Sequence, residues 1–322
     1  MVRANRRYAV IGLCGVGGAH VDRRGRPDGA FIAGASNPGT MREDAGGGVF
    51  NALRAAVSRG TDATLGSVRG GDGAGEFIAY AVKAAGIAEA TAVFLDRRSA
   101  SYTAILDERG DVVAALADMS IYETCFGRAL KRKAAGGAIA NAAAVMIDAN
   151  PPAEAIAMIL DLARGPVHAI AVSPAKVVRY SPALPRLATL FMNRREMAAL
   201  TGRPADAPSA AMVAVLRGLG LARAVVTDGP RPVVAFDGEA AFTLTPPETR
   251  TVADVTGAGD ALAGACVAAL MRGAAFADAV REGVAASVLK LASAHAAERF
   301  ADTAFTDALA RVPSPLSITD PA

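Results

Sequence analysis

The sequence has few of the features that mark several large classes of protein. Only three of its 322 residues are cysteine, Cys14, Cys125 and Cys266, and they lie far apart without metal-ligand spacing. This usage excludes a disulfide framework and predicts buried thiols in a reducing cytosol. No run approaches about 18 uninterrupted apolar residues, the length that a membrane-spanning helix needs. We therefore expect a soluble, cytoplasmic protein with no membrane partner.

Charged and aromatic residues are arranged unlike those of a nucleic-acid-binding protein. The 34 basic and 31 acidic residues leave a net charge of +3, and aromatic residues make up 5% of the chain. The short basic clusters Arg3–Arg7 and Arg128–Lys133 are typical of solvated ends and faces, without interleaved aromatics. We expect no nucleic-acid partner. A hydrophobic content of 52% excludes disorder and is ample for a large core.

Two common phosphate-binding motifs are also missing. The chain has no Gly-x4-Gly-Lys-Ser/Thr, and its glycine-rich stretch Gly12–Gly18 does not fit Gly-x-Gly-x-x-Gly. The sequence therefore does not favour a dinucleotide-binding protein.

The most informative run that is present is Asp254-Val-Thr-Gly-Ala-Gly-Asp260, which small apolar residues follow. Gly257, Ala258 and Gly259 would turn the chain into a helix whose first free N–H groups point at one spot and favour a phosphate there. Asp260 would lie beside that spot, as a base for an attacking hydroxyl. Without further context, the run could equally be a Gly-rich turn with an acidic residue in the first helical turn.

Strand and helix patterns alternate over the second half of the chain, which predicts a parallel sheet covered by helices. Polar residues at the strand ends would gather at the carboxyl edge of the sheet, where such folds bind ligands. These residues are Asp148, Asn150, Asn193, Thr227 and Asp228. The predicted strands are Tyr8–Gly12, Ala63–Gly66, Val145–Asp148, Ala169–Ser173, Thr189–Asn193 and Ala224–Asp228, and the predicted helices of the first half are Val49–Arg59 and Gly75–Ala85.

Two segments have a different pattern, and we expect them to form a small sheet that covers the site as a lid. They are residues 17–45 and 91–120, the second containing the predicted strands Thr91–Leu95, Ser101–Leu106 and Val112–Ala117. No repeat or linker divides the chain, so we expect one domain over residues 1–322, with a tail over 313–322.

The full run Asp-x-Thr-Gly-Ala-Gly-Asp resembles the second signature of the ribokinase-like, or PfkB-type, carbohydrate kinases. The rest of the chain is similar to that family in the expected order. The resemblance implies an α/β fold, a ribokinase-like αβα sandwich with a mostly parallel central sheet and a small β-sheet lid. It also implies ATP and Mg²⁺, with a monovalent cation such as K⁺ near residues 254–259 as an option.

The same resemblance assigns expected roles to residues along the chain. Asp22 would hold sugar hydroxyls, and Gly46-Gly-Gly-Val-Phe-Asn51 matches the first signature, in which Gly46 and Gly47 let the backbone approach the sugar and Asn51 reaches the substrate. Asn193 and Glu196 match an Asn-x-x-Glu associated with Mg²⁺ and phosphate through water, although the pair could also be a capping box. The nucleotide would contact Thr227, Gly229, Thr256, Gly257 and Gly259, and the helix from Ala277 to about residue 294 would shield the adenine.

Several pieces resemble the members of the family that phosphorylate the ribose 5′-hydroxyl of pseudouridine. They are Ser36–Gly39, Ser99–Asp107 continuing through Ser120, and Asp148–Asn150. Ser36 and Asn37 would then pair with the base, and Tyr102 would line the pocket. Two departures from the family pattern leave open whether His20, and either Lys176 or Arg179, contacts substrate.

From this resemblance we expect a kinase in which Asp260 is the base and the amides of Gly257, Ala258 and Gly259 hold the phosphoryl charge. Pseudouridine is the expected substrate. The alternatives are another sugar or nucleoside, such as ribose, keto-deoxygluconate or adenosine, and a non-catalytic binding protein that kept the fold. We also expect a homodimer that pairs through the lid sheet.

Overall fold

A computed structural model describes residues 11–249, 252–293 and 301–318. The predicted strand at Tyr8–Gly12 and the Arg3–Arg7 cluster therefore lie partly or wholly outside the described residues. The strands are β1 (Ile11–Val16), β2 (His20–Pro27), β3 (Gly39–Gly46), β4 (Ala63–Gly66), β5 (Val68–Gly70), β6 (Ala88–Glu89), β7 (Ala92–Phe94), β8 (Ser101–Leu106), β9 (Val112–Asp118), β10 (Ala142–Asp148), β11 (Val167–Ile170), β12 (Thr189–Asn193), β13 (Arg223–Asp228), β14 (Arg231–Asp237), β15 (Ala240–Leu244) and β16 (Leu316–Ser317).

The helices lie mostly between these strands. They are α1 (Gly48–Ser58), α2 (Gly73–Ala84), α3 (Ser120–Leu130), α4 (Lys133–Ala140), α5 (Ala153–Leu162), α6 (Pro174–Val177), α7 (Arg194–Thr201), α8 (Ser209–Gly218), α9 (Ala258–Met271), α10 (Phe276–Ala292) and α11 (Asp302–Arg311), with a 3-10 helix at Val178–Arg186.

The largest sheet has the strand order β16-β15-β14-β13-β12-β11-β10-β1-β4-β6. Neighbouring strands pair in parallel along the stretch β13-β12-β11-β10-β1-β4-β6. At the other end, β14, β15 and β16 extend the sheet with antiparallel pairs. The parallel strands are apolar because helices cover both faces, so few of their side chains reach water. The expected αβα sandwich is confirmed.

Alternation along each parallel strand divides the core into two layers. In β10, Val145 and Ile147 pack with one buried cluster, to which α3, α5 and α8 contribute, whereas Ala144 and Met146 pack with the other, which contains α1, α9 and α10. Successive side chains of a strand point to opposite faces, so one short strand serves both layers.

The lid is a four-stranded sheet with the order β3-β2-β8-β9. Asp22 lies opposite Tyr102, and Tyr102 lies opposite Ala117, so these three side chains share the inner face. Arg23 and Leu116 belong to the alternate positions and lie on the outer face. The sheet therefore directs a polar face with Asp22 toward the main domain.

Two expectations about the strands are wrong in part. The predicted strand Thr91–Leu95 forms as Ala92–Phe94, but it pairs with Val68–Gly70 in a separate two-stranded sheet and not in the lid. A strand this short carries no local signal that identifies its partner. The expected tail includes β16, in which Leu316 and Ser317 pair with β15; residues 319–322 lie outside the described part of the chain.

The expectation for the cysteines agrees with the described residues. Cys14, Cys125 and Cys266 are all buried and free. Among the described helices, none combines the length and apolar character needed to cross a membrane.

Candidate active site

A cavity of about 580 Å³ lies between the inner face of the lid and the carboxyl ends of the parallel strands. Parallel strands whose ends meet at one edge bring residues from distant parts of the sequence together there. The lining includes His20, Asp22, Gly47, Asn51, Tyr102, Asn150, Val172, Lys176, Asn193, Glu196, Thr227, Thr256, Gly257, Gly259 and Asp260.

The glycine-rich turn before α9 forms one wall of this cavity. Gly257 is the N-cap residue of the helix and has a left-handed backbone with φ of 79°. A side chain there would be strained, and its Cβ would lie 3.3 Å from the amide nitrogen of Asn51. The first turn of α9 begins at Ala258, whose N–H donates to the carbonyl of Val255 at 3.4 Å. Gly257 and Gly259 line the cavity on either side of it, so the start of the helix can offer N–H groups to an anion there.

Asp260 lies in the first turn of α9 and lines the cavity. Its Oδ2 accepts a hydrogen bond of 2.9 Å from Nδ2 of Asn51. Burial raises the pKa of Asp260 to about 6, against the lowering effect of this hydrogen bond. Asp148 also raises the pKa, whereas Arg54 and His20 lower it. A carboxyl group with such a pKa is ionised at neutral pH and basic enough to accept a proton.

The lid contributes Asp22 and His20 to the opposite wall. The carboxylate of Asp22 lies 3.2 Å from Nε2 of His20, whose Nδ1 lies 3.4 Å from the hydroxyl of Tyr122. Gly46 allows the close approach of Asp22, since a Cβ at Gly46 would lie 2.1 Å from the Asp22 carboxylate. His20 thus holds Asp22 and lines the cavity itself.

Asn193 and Glu196 form the capping box at the start of α7 that the sequence allowed. The backbone N–H of Asn193 donates to Oε2 of Glu196 at 2.7 Å, and the N–H of Glu196 donates to Oδ1 of Asn193 at 3.0 Å. Glu196 is only 5% exposed, and burial raises its pKa from an ordinary 4.5 to about 7, with Asp260 adding to the increase. Both side chains also line the cavity, so the structural and the ligand-binding interpretation are compatible.

The segment Asp148–Asn150, predicted from the sequence as a polar strand end and as part of the family resemblance, follows β10 and brings Asn150 to the cavity. Asp148 is fully buried and accepts backbone hydrogen bonds from Gly18, Val49 and Asn150. Asn150 accepts a 2.6 Å hydrogen bond from the amine of Lys176, while its own Nδ2 is buried without a partner. Asp148 therefore has a structural role, and Asn150 offers a free donor.

The structure places the two candidate basic residues differently with respect to the cavity. Lys176 lines the cavity, and burial lowers the pKa of its amine. Arg179 instead donates to the carbonyls of Ala149, Asn150 and Pro151 and pairs with Glu123 at 2.6 Å. Lys176 is thus the basic residue at the cavity, and Arg179 fixes the loop behind it.

A second pocket of about 460 Å³ adjoins the cavity on the other side of α9. Thr227, Gly259 and Leu262 line both spaces, and Gly229 and Ala258 line the second one. Val284, Ser287, Val288 and Leu291 of α10 form its wall. Small and apolar side chains suit a flat heteroaromatic ring. The family resemblance gives this helix the same role, since it implies that the helix shields the adenine.

Ser36 and Asn37 are not brought to the cavity. Both lie in the loop between β2 and β3, at the end opposite His20, and eight residues of strand separate the two ends by roughly 23 Å. The side chain of Asn37 is occupied by the backbone of Ile32 and Ala35. Neither residue lines the cavity of the chain, so their contact with the substrate stays a prediction that this geometry does not support.

Comparison with known proteins agrees with this architecture. The pattern of the pfkB family carbohydrate kinases matches residues 12–303, and the chain belongs to that family. It is 30% identical to pseudouridine kinase of Escherichia coli (strain K12) over 280 residues, which are 85% of this chain and 87% of that protein.

Two solved structures show the same fold. A carbohydrate kinase from Agrobacterium tumefaciens superposes with a TM-score of 0.85 at 40% identity, covering 95% of this chain and 99% of that one. Ribokinase from Arabidopsis thaliana, complexed with ribose and ATP, superposes with a TM-score of 0.81 at 19% identity, covering 93% and 99%. The protein is therefore a ribokinase-like kinase of a sugar or nucleoside, that is, a phosphotransferase with an alcohol group as acceptor.

Proposed function

We propose that this kinase transfers the γ-phosphoryl group of ATP to the ribose 5′-hydroxyl of pseudouridine, with Asp260 as the base. The position of Asp260 carries the proposal. It lies at the N-terminus of α9, where the cavity under the lid meets the pocket beside α10. A nucleoside in the first space and ATP in the second would present their reacting ends to the same carboxylate and the same free amides.

The chemistry follows from this position. Asp22 and the backbone at Gly47 would hold the ribose hydroxyls and direct the 5′-oxygen toward Asp260, which removes the proton as the oxygen attacks the γ-phosphorus in line. The amides of Gly257, Ala258 and Gly259 would stabilise the charge that develops on the phosphoryl oxygens. The lid would exclude water, a competing nucleophile.

Magnesium fits the donor set at this site. Glu196 is a buried carboxyl at the cavity whose ionised form is favoured by a nearby cation, and Asn193 adds an amide oxygen. The described residues contain no cluster of three or more metal-ligating side chains. This is the usual situation for Mg²⁺ held mainly by phosphates and water, whose charge would neutralise the phosphoryl oxygens.

A monovalent cation has less support. Asp254 already binds Arg24 and the N–H of Thr256, and the buried amine of Lys290 donates to the carbonyl of Ser293 at 3.4 Å. Arg24 is bonded to Asp254, and Lys290 interacts with the same carboxylate electrostatically. Two positive side chains near Asp254 would repel K⁺, so the proposed mechanism includes no monovalent cation.

Recognition of the base would fall to donors at the cavity floor. Uracil has two carbonyl oxygens, and the free Nδ2 of Asn150 and the amine of Lys176 are donors that suit them. His20 and Tyr102 add further polar atoms at the lid side. The 30% identity to a pseudouridine kinase supports the same choice.

The substrate is tested with the purified protein, Mg-ATP and a panel of pseudouridine, uridine, adenosine, ribose and keto-deoxygluconate. ADP release and product mass are followed. Selective phosphorylation of pseudouridine would support the proposal, whereas transfer to another compound would retain the mechanism and replace the substrate. No transfer to any member would contradict the proposed function.

The base is tested with Asp260→Asn, which keeps the size of the side chain and its contact with Asn51. Transfer should fall by roughly 10²-fold or more with nucleotide affinity little changed. Unchanged turnover would exclude Asp260 as the base.

We further propose that the protein is a homodimer that pairs through the outer face of the lid. Leu116 is 73% exposed and Met41 55% exposed, which is unusual for large apolar side chains on an isolated sheet. Sedimentation of the wild type and of Leu116→Lys at equal concentration tests the proposal. The variant should be monomeric, and a wild type that sediments as a monomer would overturn it.

A further inference from the structure

Helix α1 carries an arginine one turn after Asn51, and the two side chains are in contact. Nη2 of Arg54 donates both to Oδ1 of Asn51 and to the backbone carbonyl of Ala45, the latter at 3.0 Å. The guanidinium lies 4.3 Å from the ring centroid of Phe50, and its Nε is buried without a hydrogen-bond partner. Arg54 itself does not line the cavity.

The chemistry of the guanidinium determines how the Asn51 amide is oriented. Arginine has donors and no acceptor, so only the oxygen of the amide can face Arg54. The Nδ2 of Asn51 must then face the other way, toward Asp260, to which it donates at 2.9 Å. An amide turned by 180° would direct its oxygen at the carboxylate of Asp260 and would lose both hydrogen bonds.

Arg54 also acts on Asp260 by charge. The residues that face Asp260 come from several elements: Asn51 and Arg54 on α1, His20 on β2, Asp148 at the end of β10 and Glu196 on α7. Asp148 opposes ionisation of Asp260, and Glu196 does so when it is itself ionised. Arg54 favours ionisation, and burial lowers its own pKa only to about 10, so it remains charged at neutral pH.

We propose that Arg54 is a positioning residue for the base, which orients Asp260 through the amide of Asn51 and keeps its carboxylate ionised. This role rests on the proposed function of Asp260. Arg54 lines neither the cavity proposed for the nucleoside nor the pocket proposed for ATP, so it would act only through Asn51 and Asp260.

The test is the pH dependence of kcat/KM for Arg54→Met, a variant of similar length that favours helix but has neither charge nor donor. The acidic limb should move to higher pH by roughly one unit, so that the loss of activity is larger at pH 6 than at pH 8. The KM for both substrates should change little. A merely structural role would lower activity without moving the limb.

Further variants keep the test decisive. Arg54→Lys keeps a charge and a donor and should restore most of the wild-type profile. If Arg54→Met does not fold, Arg54→Gln, which also removes the charge, takes its place and should move the limb in the same direction. Arg59→Met is the matched control on the adjoining C-cap of α1, where Arg59 contacts Asp302 and Phe305, and should leave the pH profile unchanged.

Failure of this proposal is distinguishable from failure of the proposed function. Full activity of Asp260→Asn would show that Asp260 is not the base, and the proposed role of Arg54 would then have no basis. An inactive Asp260→Asn combined with a wild-type limb in Arg54→Met would overturn the role of Arg54 alone.

Discussion

Arg24 on the lid strand β2 is bonded to Asp254 in the loop that leads into α9, with 2.9 Å between Nη1 and the Asp254 carboxylate. Its Nη2 donates to the hydroxyl of Thr256 at 3.0 Å. Asp22 lies two residues before Arg24 and therefore on the same face of the strand. The lid thus holds the glycine-rich loop from the same face that presents Asp22 to the cavity.

Arg24→Gln should loosen this contact between the lid and the loop. A partly exposed pair of charge-assisted hydrogen bonds contributes about 1–2 kcal/mol, so kcat/KM should fall roughly 5–30-fold. Steady-state kinetics in both substrates would measure the effect. Arg26→Gln, exposed at the far end of the same strand, is the control. Equal kinetics for Arg24→Gln and the wild type would mean that the contact does not assist turnover.

The described strands differ in how well the sequence predicted them. Thr189–Asn193 was predicted with its observed ends, since a buried parallel strand is a short apolar run that stops at a polar residue. The antiparallel strands β14 and β15 were not predicted. The buried run of β14 is short and β15 alternates over only five residues, so neither has a strong local pattern.

The residues of the candidate site also differ in how well the sequence predicts them. The glycine-rich loop and the capping box are local, so their residues could be named from spacing. Arg24 meets Asp254 across 230 residues, and Lys176 of the short helix α6 meets Asn150 in the loop after β10. Such contacts exist only once the sheet and lid have formed, so no local pattern predicts them.

The pH profile of kcat/KM should report the ionisation of Asp260. Because the base must be ionised, activity should be constant well above pH 7 and fall up to tenfold per unit below about pH 6, the raised pKa of Asp260. Glu196 faces Asp260, so the limb belongs to the coupled pair. Initial rates from pH 5 to 9 at constant free Mg²⁺ would measure it. A profile that stays flat down to pH 4.5 would contradict the assignment.

Glu196→Gln should weaken the use of Mg²⁺ while keeping the capping box. The glutamine oxygen can still accept from the N–H of Asn193, but the negative charge is lost. The Mg²⁺ concentration for half-maximal rate should rise roughly 10–100-fold. Glu76→Gln, in the first turn of α2, is the control for a charge near a helix N-terminus. An unchanged Mg²⁺ requirement would exclude Glu196 from metal binding.

The same substitution should stabilise the fold at high pH. The folded-state pKa of Glu196 is raised from 4.5 to about 7, so the folded protein binds the extra proton and stability is lost as pH rises through that interval. Glutamine avoids this cost, which is at most about 3 kcal/mol. Without Mg²⁺, the melting temperature of Glu196→Gln should exceed that of the wild type at pH 8 and approach it below pH 4.5, the ordinary pKa of the group. A lower value at pH 8 would contradict the raised pKa.

Ser287→Phe should block the pocket beside α10. Ser287 lines this pocket together with Val284 and Leu291 and is only partly buried, so a phenyl group would occupy the space proposed for adenine without entering the core. The KM for ATP should rise at least about tenfold, equivalent to about 1.4 kcal/mol. Calorimetric titration of the nucleoside in the absence of ATP should give wild-type affinity, because the cavity under the lid does not include Ser287. Ser287→Ala keeps the pocket open and should bind ATP normally. An unchanged KM for ATP in Ser287→Phe would mean that the adenine binds elsewhere.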